Sequence, residues 1–238
     1  MSELLEINSL SKSFGGFAAL TDVTLAIAEG ERFGLIGPNG SGKTTLINCV
    51  SGMQRNEAGS IRFSGEEVDR LPAYQRTRRG IARSFQIPRP FRSMTVLENL
   101  LVPYQYVGHL RDDEARAQAL EVLRDLGLSQ KAEALSSTLS QVELRKLELA
   151  RAMAARPKLL ISDEAMAGLS GSEVDEVLKI LFDLNAKGIT VIMIEHIMQA
   201  VMRFSQRVVC LDAGRIICEG APESIVKEPE VQRAYLGA

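Results

Sequence analysis

Short apolar runs alternate with amphipathic stretches throughout the C-terminal half of the chain. The runs KLLISDE, ITVIMIE and RVVCLDAG are apolar enough to be buried on both faces. The stretch SEVDEVLKILFDLNAKG between two of them has the apolar spacing of a helix, and another helix is predicted over residues 141–155. Buried strands that alternate with amphipathic helices are typical of a parallel sheet covered on both faces. The pattern therefore predicts an α/β fold.

The first half of the chain divides into a strand-rich part and a helix-rich part. LLEIN, LTDVTLAI, RFGLIG and GSIRFSG are predicted strands, with breaks at SFGG and AEGE. Three helices are predicted within residues 70–128, over RLPAYQRTRRG, MTVLENLLVPYQYV and DDEARAQALEVLRDLGL. We interpret the helix-rich part as a lobe inserted between two parts of a sheet domain.

The composition of the 238 residues is that of an ordinary globular chain, with 45% apolar and 24% charged residues. A formal net charge of -2 gives no sign of nucleic-acid binding. The start, MSELLEINSL, lacks the features of a signal peptide, and runs such as ITVIMI are far below the ~18 residues of a membrane-spanning helix. Any membrane part is therefore expected on another chain.

Cys49, Cys210 and Cys218 have no metal-ligand spacing and are expected to be buried free thiols in a reducing cytoplasm.

The segment GPNGSGKT, residues 37–44, matches the phosphate-binding pattern G-x-x-x-x-G-K-[ST] completely. The apolar strand RFGLI precedes it, and a helix predicted from Lys43 to about Val50 follows it. Glycines let backbone N–H groups converge on phosphate oxygens, and a helix N-terminus adds the positive end of its dipole. Lys43 is expected to reach the β- and γ-phosphates, and the Thr44 hydroxyl is expected to ligate Mg²⁺. The complete pattern and its flanks disfavour a plain glycine-rich turn.

Ionisable side chains end two of the predicted strands. Asp163 and Glu164 end LLISDE, and Glu195 and His196 end the next strand. Because ligands bind at the carboxyl edge of such sheets, Asp163 is expected to hold Mg²⁺ directly or through water. Glu164 is expected to polarise the attacking water as a general base, with His196 beside it and the γ-phosphate. The alternatives are solvated acidic residues, for Glu195 as well, and a surface histidine that caps the following helix.

The order of the motifs along the chain is diagnostic. The motifs occur in the order GPNGSGKT, SFQ, LSQVELRKLELARA, LLISDE, AGLS and IEH. With this order, the chain resembles the ATP-binding subunit of ABC transporters over essentially its whole length. Four further segments resemble the importer branch for branched-chain and other hydrophobic amino acids. They are SFGGFAALTDVTL, IPRPFRSMTVLENLLV, EHIMQAVM and the terminal RAYLG. The lipopolysaccharide-export ATPases are similar too and have a comparable C-terminal ending.

This resemblance implies a fold and its division. The fold is a P-loop NTPase core with a mixed or parallel sheet, an N-terminal antiparallel β subdomain and an inserted helical subdomain. Residues 1–86 and 157–238 form the core and the β subdomain in this division, and residues 87–156 form the helical lobe. The whole chain is then a single ATP-binding domain.

The resemblance also implies roles for residues at matching positions. Phe14 stacks on adenine, and Gln86, which follows the run GIARSF, ligates Mg²⁺ or orients water and begins the loop that couples the site to a membrane partner. Asp163 holds the metal, Glu164 is the catalytic carboxylate, and His196 is the switch histidine at the γ-phosphate. The nucleotide-binding loop consists of Gly37, Pro38, Asn39, Gly40, Ser41, Gly42, Lys43, Thr44 and Thr45. The signature element that acts on a partner's ATP is Ser140, Gln141, Val142 and Glu143, and the dimer-interface loop is Ala167, Gly168, Leu169 and Ser170.

The function implied by the resemblance is ATP hydrolysis coupled to transport, with ATP and Mg²⁺ as cofactors. Two such subunits close head to tail over two ATP molecules, and each ATP touches the phosphate loop of one subunit and the signature of the other. The expected partners are a second ATP-binding subunit, transmembrane permease subunits and, indirectly, a solute-binding protein, but no nucleic acid. The expected location is cytoplasmic, on the inner face of the cell membrane. The alternatives are an ATP-dependent dimerising module with weak hydrolysis and an export ATPase for a lipid-like substrate.

The sequence departs from the family pattern at the signature and in two other places. Gln141 and Val142 replace two glycines, Ala165 stands where proline is usual, and Ser170 stands where aspartate is common. Ser140 to Glu143 also fits a helix-capping box, and so does the segment that starts at Ser170. The Ser140 hydroxyl and the backbone N–H groups survive the loss of glycine, but a valine side chain stands where the backbone approaches a phosphate. We therefore expect weaker closure over the partner's ATP, without loss of ATP binding.

Seven arginines crowd into the region on either side of the SFQ motif. A solvated face or a docking surface for the membrane partner is favoured over a nucleic-acid patch, because the chain as a whole has a formal net charge of -2. The seven are Arg70, Arg76, Arg78, Arg79, Arg83, Arg89 and Arg92.

Overall fold

The larger of two sheets has six strands and carries the predicted β/α alternation. The computed structural model describes residues 2–85, 88–107 and 110–236. The spatial order of the strands is β10-β9-β3-β8-β7-β6, in which β6, β7, β8, β3 and β9 are parallel neighbours and β10 is antiparallel to β9. These strands are β3 (Arg32–Ile36), β6 (Ile81–Ser84), β7 (Leu159–Asp163), β8 (Thr190–Ile194), β9 (Arg207–Asp212) and β10 (Arg215–Gly220). The mixed sheet predicted from the resemblance is confirmed.

The second sheet is antiparallel and comes mostly from the N-terminal part of the chain. Its order is β2-β1-β4-β5. The strands are β1 (Glu3–Phe14), β2 (Phe17–Ala28), β4 (Ala58–Phe63) and β5 (Glu66–Glu67). This sheet corresponds to the expected antiparallel β subdomain.

Nine α-helices surround the sheets in the described part of the chain. They are α1 (Lys43–Ser51), α2 (Ala73–Arg78), α3 (Val96–Tyr106), α4 (Asp112–Asp125), α5 (Gln141–Met153), α6 (Gly171–Ala186), α7 (Met198–Phe204), α8 (Pro222–Ile225) and α9 (Pro229–Leu236). Helices α3, α4 and α5 contact one another and form the inserted lobe. The predicted helical stretch that starts near residue 71 is divided, because α2 contacts α1 and β6 of the sheet domain. Sequence reasoning did not predict β6, β10, α8 or α9.

Two apolar clusters lie on opposite faces of the six-stranded sheet. In β7, Leu159 and Ile161 belong to the cluster formed with α1 and the antiparallel sheet, whereas Leu160 belongs to the cluster formed with the helical lobe and α6. This alternation follows from the two-residue period of a strand. Burial on both faces explains why the strand sequences are continuously apolar. Among the described residues, no helix has the length and apolar character needed to cross a membrane.

Arg76 is buried beside the end of the helix that follows the phosphate loop, and it donates hydrogen bonds to several backbone carbonyl groups. Its guanidinium is 1% exposed and donates to the carbonyl oxygens of Cys49 at 2.6 Å and Val50 at 3.0 Å, near the end of α1. It also donates to the carbonyl oxygens of Leu71 at 2.9 Å and Asp69 at 3.1 Å. Helix ends leave carbonyl groups without helical partners, and Arg76 satisfies two of them. The expectation that the arginine-rich stretch is a surface is therefore wrong for Arg76.

The cysteines mostly follow the sequence-based expectation. Cys49 and Cys210 are buried free thiols, and burial raises the pKa of Cys49 to about 11. Cys218 differs because it is only half-buried, on β10 at the edge of the larger sheet. Edge strands are covered on one side only, which explains the difference.

We predict that Arg76→Met lowers the free energy of unfolding by about 3–5 kcal/mol, because it leaves several buried carbonyl groups without donors. Urea unfolding followed by circular dichroism measures the change. Arg70→Met is the matched control, since Arg70 is exposed in the same arginine-rich stretch, and it should change stability by less than about 0.5 kcal/mol. Equal effects of the two substitutions would contradict the role of Arg76 as a buried donor to backbone carbonyl groups.

Candidate nucleotide site

The phosphate loop connects β3 to α1 and is packed against two other strands. A Cβ atom on Gly37 would lie 2.1 Å from the carbonyl oxygen of Leu211 in β9. A Cβ atom on Gly42 would lie 2.6 Å from the carbonyl oxygen of Ala19 in β2. Both glycines also have positive φ, which side chains disfavour. These two glycines are therefore required by backbone packing in this chain, before any phosphate is considered.

Lys43 folds back into this loop. Its Nζ atom donates to the carbonyl oxygens of Gly37 at 2.7 Å and Pro38 at 2.9 Å, and its side chain is 7% exposed. Burial lowers the pKa of Lys43, and the nearby charges of Glu164 and Asp163 oppose that effect. A buried ammonium held by neutral carbonyl oxygens has a stronger potential partner in an anionic phosphate. The geometry is that of a loop ready to exchange these carbonyl groups for phosphate oxygens.

The rest of the predicted loop provides backbone donors and an accessible hydroxyl. The carbonyl oxygen of Ser41 accepts from the Gly214 N–H at 2.9 Å, which ties the loop to the β9–β10 turn. Thr44 is exposed and Thr45 is half-buried in the first turn of α1. The first-turn amides of a helix have no helical acceptors, and together with the helix dipole they form an anion site.

Parallel pairing brings Glu164 and His196 together. Strands β7 and β8 are neighbours in which Asp163 is paired with Ile194, and the Glu164 N–H donates to the carbonyl oxygen of Ile194 at 2.8 Å. The structure places the Nε2 atom of His196 3.0 Å from Oε1 of Glu164. Glu164 has a φ of 47°, an uncommon left-handed conformation for a residue other than glycine, and such strain is often found at functional sites.

Asp163 is held by an arginine that sequence reasoning assigned to a surface. Its Oδ2 atom accepts from Nη2 of Arg83 at 2.6 Å, and the two side chains are 10% and 9% exposed. Arg83 also donates to Oδ1 of Asn48 in α1 at 2.7 Å. The expectation of a surface position is therefore wrong for Arg83 as well. The strand character of residues 81–84, had it been predicted, would have indicated that Arg83 lies in the sheet.

Glu195 is buried behind the site instead of being solvated. It is 2% exposed, and its Oε1 atom accepts from the Met166 N–H at 2.9 Å, which ties the end of β8 to the segment after β7. Burial raises the pKa of Glu195 from 4.5 to about 7, with a smaller contribution from the negative charge of Glu164. The positive charge of Arg145 lowers the pKa of Glu195. The alternative of a solvated Glu195 is thus corrected by the packing.

The signature element forms the predicted helix cap. Oγ of Ser140 accepts from the Glu143 N–H at 3.3 Å, and Oε2 of Glu143 accepts from the Ser140 N–H at 2.8 Å. Gln141 is exposed at the first position of α5, and Val142 is half-buried. A capping box is likewise present at Ser170, where Glu173 accepts from the Ser170 N–H at 2.8 Å.

The signature helix contacts the predicted interface loop within the same chain. Nε2 of Gln141 donates to the carbonyl oxygen of Ala167 at 3.5 Å, and Nη2 of Arg145 donates to the same oxygen at 3.2 Å. A Cβ atom on Gly168 would lie 2.9 Å from Nε2 of Gln141. The glutamine that replaces a signature glycine thus connects two elements that sequence reasoning treated separately.

Phe14, another predicted site residue, lies outside this cluster of contacts. Phe14 is 45% exposed at the tip of the β1–β2 hairpin, and Lys12 lies 5.2 Å from its ring centroid. The hairpin reaches the phosphate loop through β2, whose Ala19 packs against Gly42. Gln86 lies outside the described residues, so its proposed role stays a prediction.

Oxygen ligands suited to Mg²⁺ are available at this edge of the sheet. Thr44 is exposed at the start of α1, and Asp163, whose carboxylate is paired with Arg83, ends β7. Hydroxyl, carboxylate and phosphate oxygens are the donors that Mg²⁺ prefers. Among the described residues there is no group of three or more His, Cys, Asp or Glu side chains that could hold a metal ion. The donor set fits an ion that binds together with a nucleotide.

Three features lie at one edge of the parallel strands: a Walker-type loop, a carboxylate pair and a strand-end histidine. Together they define a nucleotide-hydrolysing domain. Residues 20–167 match the family model described as ABC transporter, and residues 215–238 match one described as branched-chain amino acid ATP-binding cassette transporter. The chain belongs to the ABC transporter ATP-binding family. It is the ATP-binding and ATP-hydrolysing subunit of such a transporter.

Similar proteins include ATP-binding proteins of branched-chain amino acid transport and of lipopolysaccharide export. The chain is 37% identical to the high-affinity branched-chain amino acid transport ATP-binding protein BraF of Pseudomonas aeruginosa, with 98% of each chain covered. It is 35% identical to the lipopolysaccharide export system ATP-binding protein LptB of Haemophilus influenzae, with 98% of this chain and 97% of that protein covered. A crystal structure of a cassette in its ADP conformation matches with a TM-score of 0.92 and 30% identity over 100% of both chains. A dimeric cassette in a post-hydrolysis state bound to ADP and Pi matches with a TM-score of 0.82 and 26% identity, over 92% of this chain and 99% of the other.

We predict a stability change with pH that depends on Glu195. Because its folded-state pKa lies above 4.5, the folded state keeps a proton that the unfolded state has lost between about pH 4.5 and pH 7. Stability therefore falls as the pH rises through this window, by on the order of 3 kcal/mol at most. Glu195→Gln keeps an acceptor for the Met166 N–H, and it should be more stable than the parent chain above pH 7 and equal to it near pH 4.5.

Urea unfolding at a series of pH values measures this dependence. Glu67→Gln is the control, since Glu67 is exposed, and its stability should follow that of the parent chain at every pH. A constant difference between Glu195→Gln and the parent across the window would rule out titration of Glu195 as the cause.

Proposed function

We propose that the chain powers the import of branched-chain or related hydrophobic amino acids. The observation that carries this proposal is the match of residues 215–238 to the branched-chain amino acid cassette model, in addition to the full-length similarity to BraF. The similarity to LptB supports a second candidate, an export ATPase for a lipid-like substrate. The importer is favoured because the C-terminal family model is described as a branched-chain amino acid transporter and the identity to BraF, 37%, is slightly above the 35% to LptB.

The proposed hydrolysis begins with Lys43, which leaves the carbonyl oxygens of the loop and pairs with the β- and γ-phosphates. The α1 amides hold the phosphate oxygens, and Phe14 stacks on the adenine ring. Glu164 accepts a proton from the attacking water, and His196, 3.0 Å from it, orients the carboxylate and stabilises charge at the γ-phosphate. Thr44 and Asp163, together with Gln86, would hold Mg²⁺, which supplies charge neutralisation on the phosphate oxygens.

The Asp163–Arg83 pair has a defined place in this proposal. Removing one member of a buried ion pair leaves an uncompensated charge, which is costly. Arg83 therefore keeps the Asp163 carboxylate paired before nucleotide and Mg²⁺ arrive. Since Arg83 also contacts Asn48 of α1, it links the metal-holding carboxylate to the helix that receives the phosphates.

The proposed assembly contains two ATP-binding subunits and two membrane permease subunits. The match to a dimeric cassette supports a pair of ATP-binding subunits. We propose that the pair is head to tail, so that the signature of this chain faces the ATP on its partner's phosphate loop. The segment that starts at Gln86 would transmit closure to the permeases, which would place the chain on the inner face of the cell membrane. Either a second copy or a different ATP-binding chain can serve as the partner.

Uptake assays test the transported substrate. We expect deletion of the gene in its native cell to abolish high-affinity uptake of radiolabelled leucine, isoleucine and valine, because the permeases lose their source of energy. The parent gene should restore uptake, whereas Lys43→Ala and Glu164→Gln should not. Glu164→Gln should still bind ATP, since it retains the loop, and this separates hydrolysis from binding. Normal amino acid uptake combined with a defect in lipid export would favour the second candidate.

The altered signature should weaken closure over the ATP of the partner subunit. The Ser140 hydroxyl and the helix N-terminus remain, but the Val142 side chain stands where a glycine backbone would approach phosphate. In a homodimer both ATP sites would be affected. In a heterodimer the chain could keep its own hydrolytic site intact by using a glycine-bearing signature from its partner.

We predict that the double substitution Gln141→Gly/Val142→Gly raises the steady-state ATPase rate of a homodimer, because backbone can then approach the γ-phosphate. Gln141→Ala is the matched control: it removes the contact with Ala167 without providing a glycine. The control should leave the rate near that of the parent or lower it. An unchanged or lower rate in the double variant would contradict a steric defect at the signature.

A further inference from the structure

The C-terminal helix reaches the first residue of the phosphate loop. The N–H of Gly37 donates to the hydroxyl oxygen of Tyr235 in α9 at 2.8 Å, although the two residues are 198 positions apart. Tyr235 belongs to the terminal RAYLG motif, to which the proposed mechanism assigns no role. Its ring is partly exposed, and burial of its hydroxyl end raises the pKa of Tyr235, so the phenol stays neutral near pH 7. The contact connects opposite ends of the chain at the nucleotide site.

Gly37 is held by two side chains, one at each of its backbone polar groups. Tyr235 accepts from its N–H, and Lys43 donates to its carbonyl oxygen at 2.7 Å. A bound nucleotide would draw Lys43 toward phosphate oxygens and remove the second contact. Tyr235 would then be the side chain that still holds the first peptide of the loop. The Leu211 carbonyl oxygen lies so close that Gly37 has no space to move toward β9.

The described side chains of the helix that carries Tyr235 are mostly exposed. Within the described part of α9, Val231 is the only buried residue, at 4% exposure. Pro229, Glu230, Gln232 and Arg233 are exposed. Because the described side chains of α9 bury so little apolar surface, they contribute a small free energy of docking, and a single hydrogen bond is large beside that contribution. The docking of α9 and the conformation of the phosphate loop are therefore energetically linked.

We propose that Tyr235 is a positioning residue for nucleotide binding, and that it fixes the Gly37 peptide in the geometry that receives the phosphates. A loop held in advance in its binding geometry loses less conformational entropy on binding. Linkage is reciprocal, so ATP must stabilise the docking of α9 by the same factor by which docking strengthens ATP binding. The inference rests on nucleotide binding at residues 37–44 and does not depend on which substrate the transporter carries.

Tyr235→Phe is the test, because it removes the hydroxyl and keeps the ring. A hydrogen bond of this kind contributes about 0.5–1.5 kcal/mol, so we expect the dissociation constant of the chain for ATP to rise about two- to tenfold. KM for ATP should rise by a similar factor with kcat little changed, since the hydroxyl does not touch the reacting atoms. Hydrogen exchange should show faster exchange of the Gly37 amide in the variant. In the parent chain, ATP should slow exchange across α9, and this effect should shrink in the variant.

Tyr106→Phe is the matched control, because Tyr106 is an exposed tyrosine on α3 of the helical lobe. Its affinity for ATP and its Gly37 exchange should equal those of the parent. Val231→Ala loosens α9 without changing the hydroxyl, and it should weaken ATP binding in the same direction.

Two results would overturn the proposal. The first is an unchanged exchange rate of the Gly37 amide in Tyr235→Phe, which would show that the bond does not form in solution. The second is faster hydrogen exchange of the Gly37 amide in Tyr235→Phe while the dissociation constant and KM for ATP are unaltered. The contact would then be merely structural. Failure of the parent chain to bind ATP at all is a distinct outcome: it would remove the nucleotide-site assignment itself, before Tyr235 is considered.

Discussion

Parallel pairing of β3, β7 and β8 is the constraint on which the candidate site depends. The carboxyl ends of parallel strands meet at one edge of a sheet, so the phosphate loop after β3 lies at the same edge as the residues that follow β7 and β8. The register is specific: Asp163 pairs with Ile194, and Glu164, one residue after Asp163, comes within hydrogen-bonding distance of His196, two residues after Ile194. A shift of one residue in this register would turn every side chain of a strand to the opposite face.

Buried charged side chains support this edge from beneath. Arg76 satisfies carbonyl groups at the end of α1, Arg83 pairs with Asp163, and Glu195 holds the Met166 amide. Buried polar groups that lack partners are costly, so each of these contacts restricts the arrangement of the elements it joins. Charged residues that look like surface features in the sequence thus position the loop helix, the Asp163 carboxylate and the segment after β7.

The signature region shows how one segment can satisfy two physical requirements. Ser140 and Glu143 form a complete capping box, which stabilises the start of α5 whether or not a nucleotide is present. Gln141 extends from the same helix start to Ala167 of the interface loop. The loss of glycine therefore does not disorder the segment. In the proposed dimer, this contact within the chain would take the place of a close backbone approach to the ATP of the partner subunit.

The sequence by itself determined the β/α alternation, the phosphate loop between β3 and α1, the capping boxes and the family. Periodicity and glycine spacing are properties of short segments, and motif order can be read along the chain without knowing any contact. The sequence also predicted that His196 lies near Glu164, since both follow strands of one parallel sheet. Only the tertiary structure decided which arginines are buried, how Glu195 is held, and that Tyr235 meets Gly37. These features depend on contacts between residues far apart in the chain, whose energies come from burial and from hydrogen bonds that no local pattern records. β6 and β10 were missed for a related reason: as edge strands they are short or half-covered, so their apolar pattern is weak.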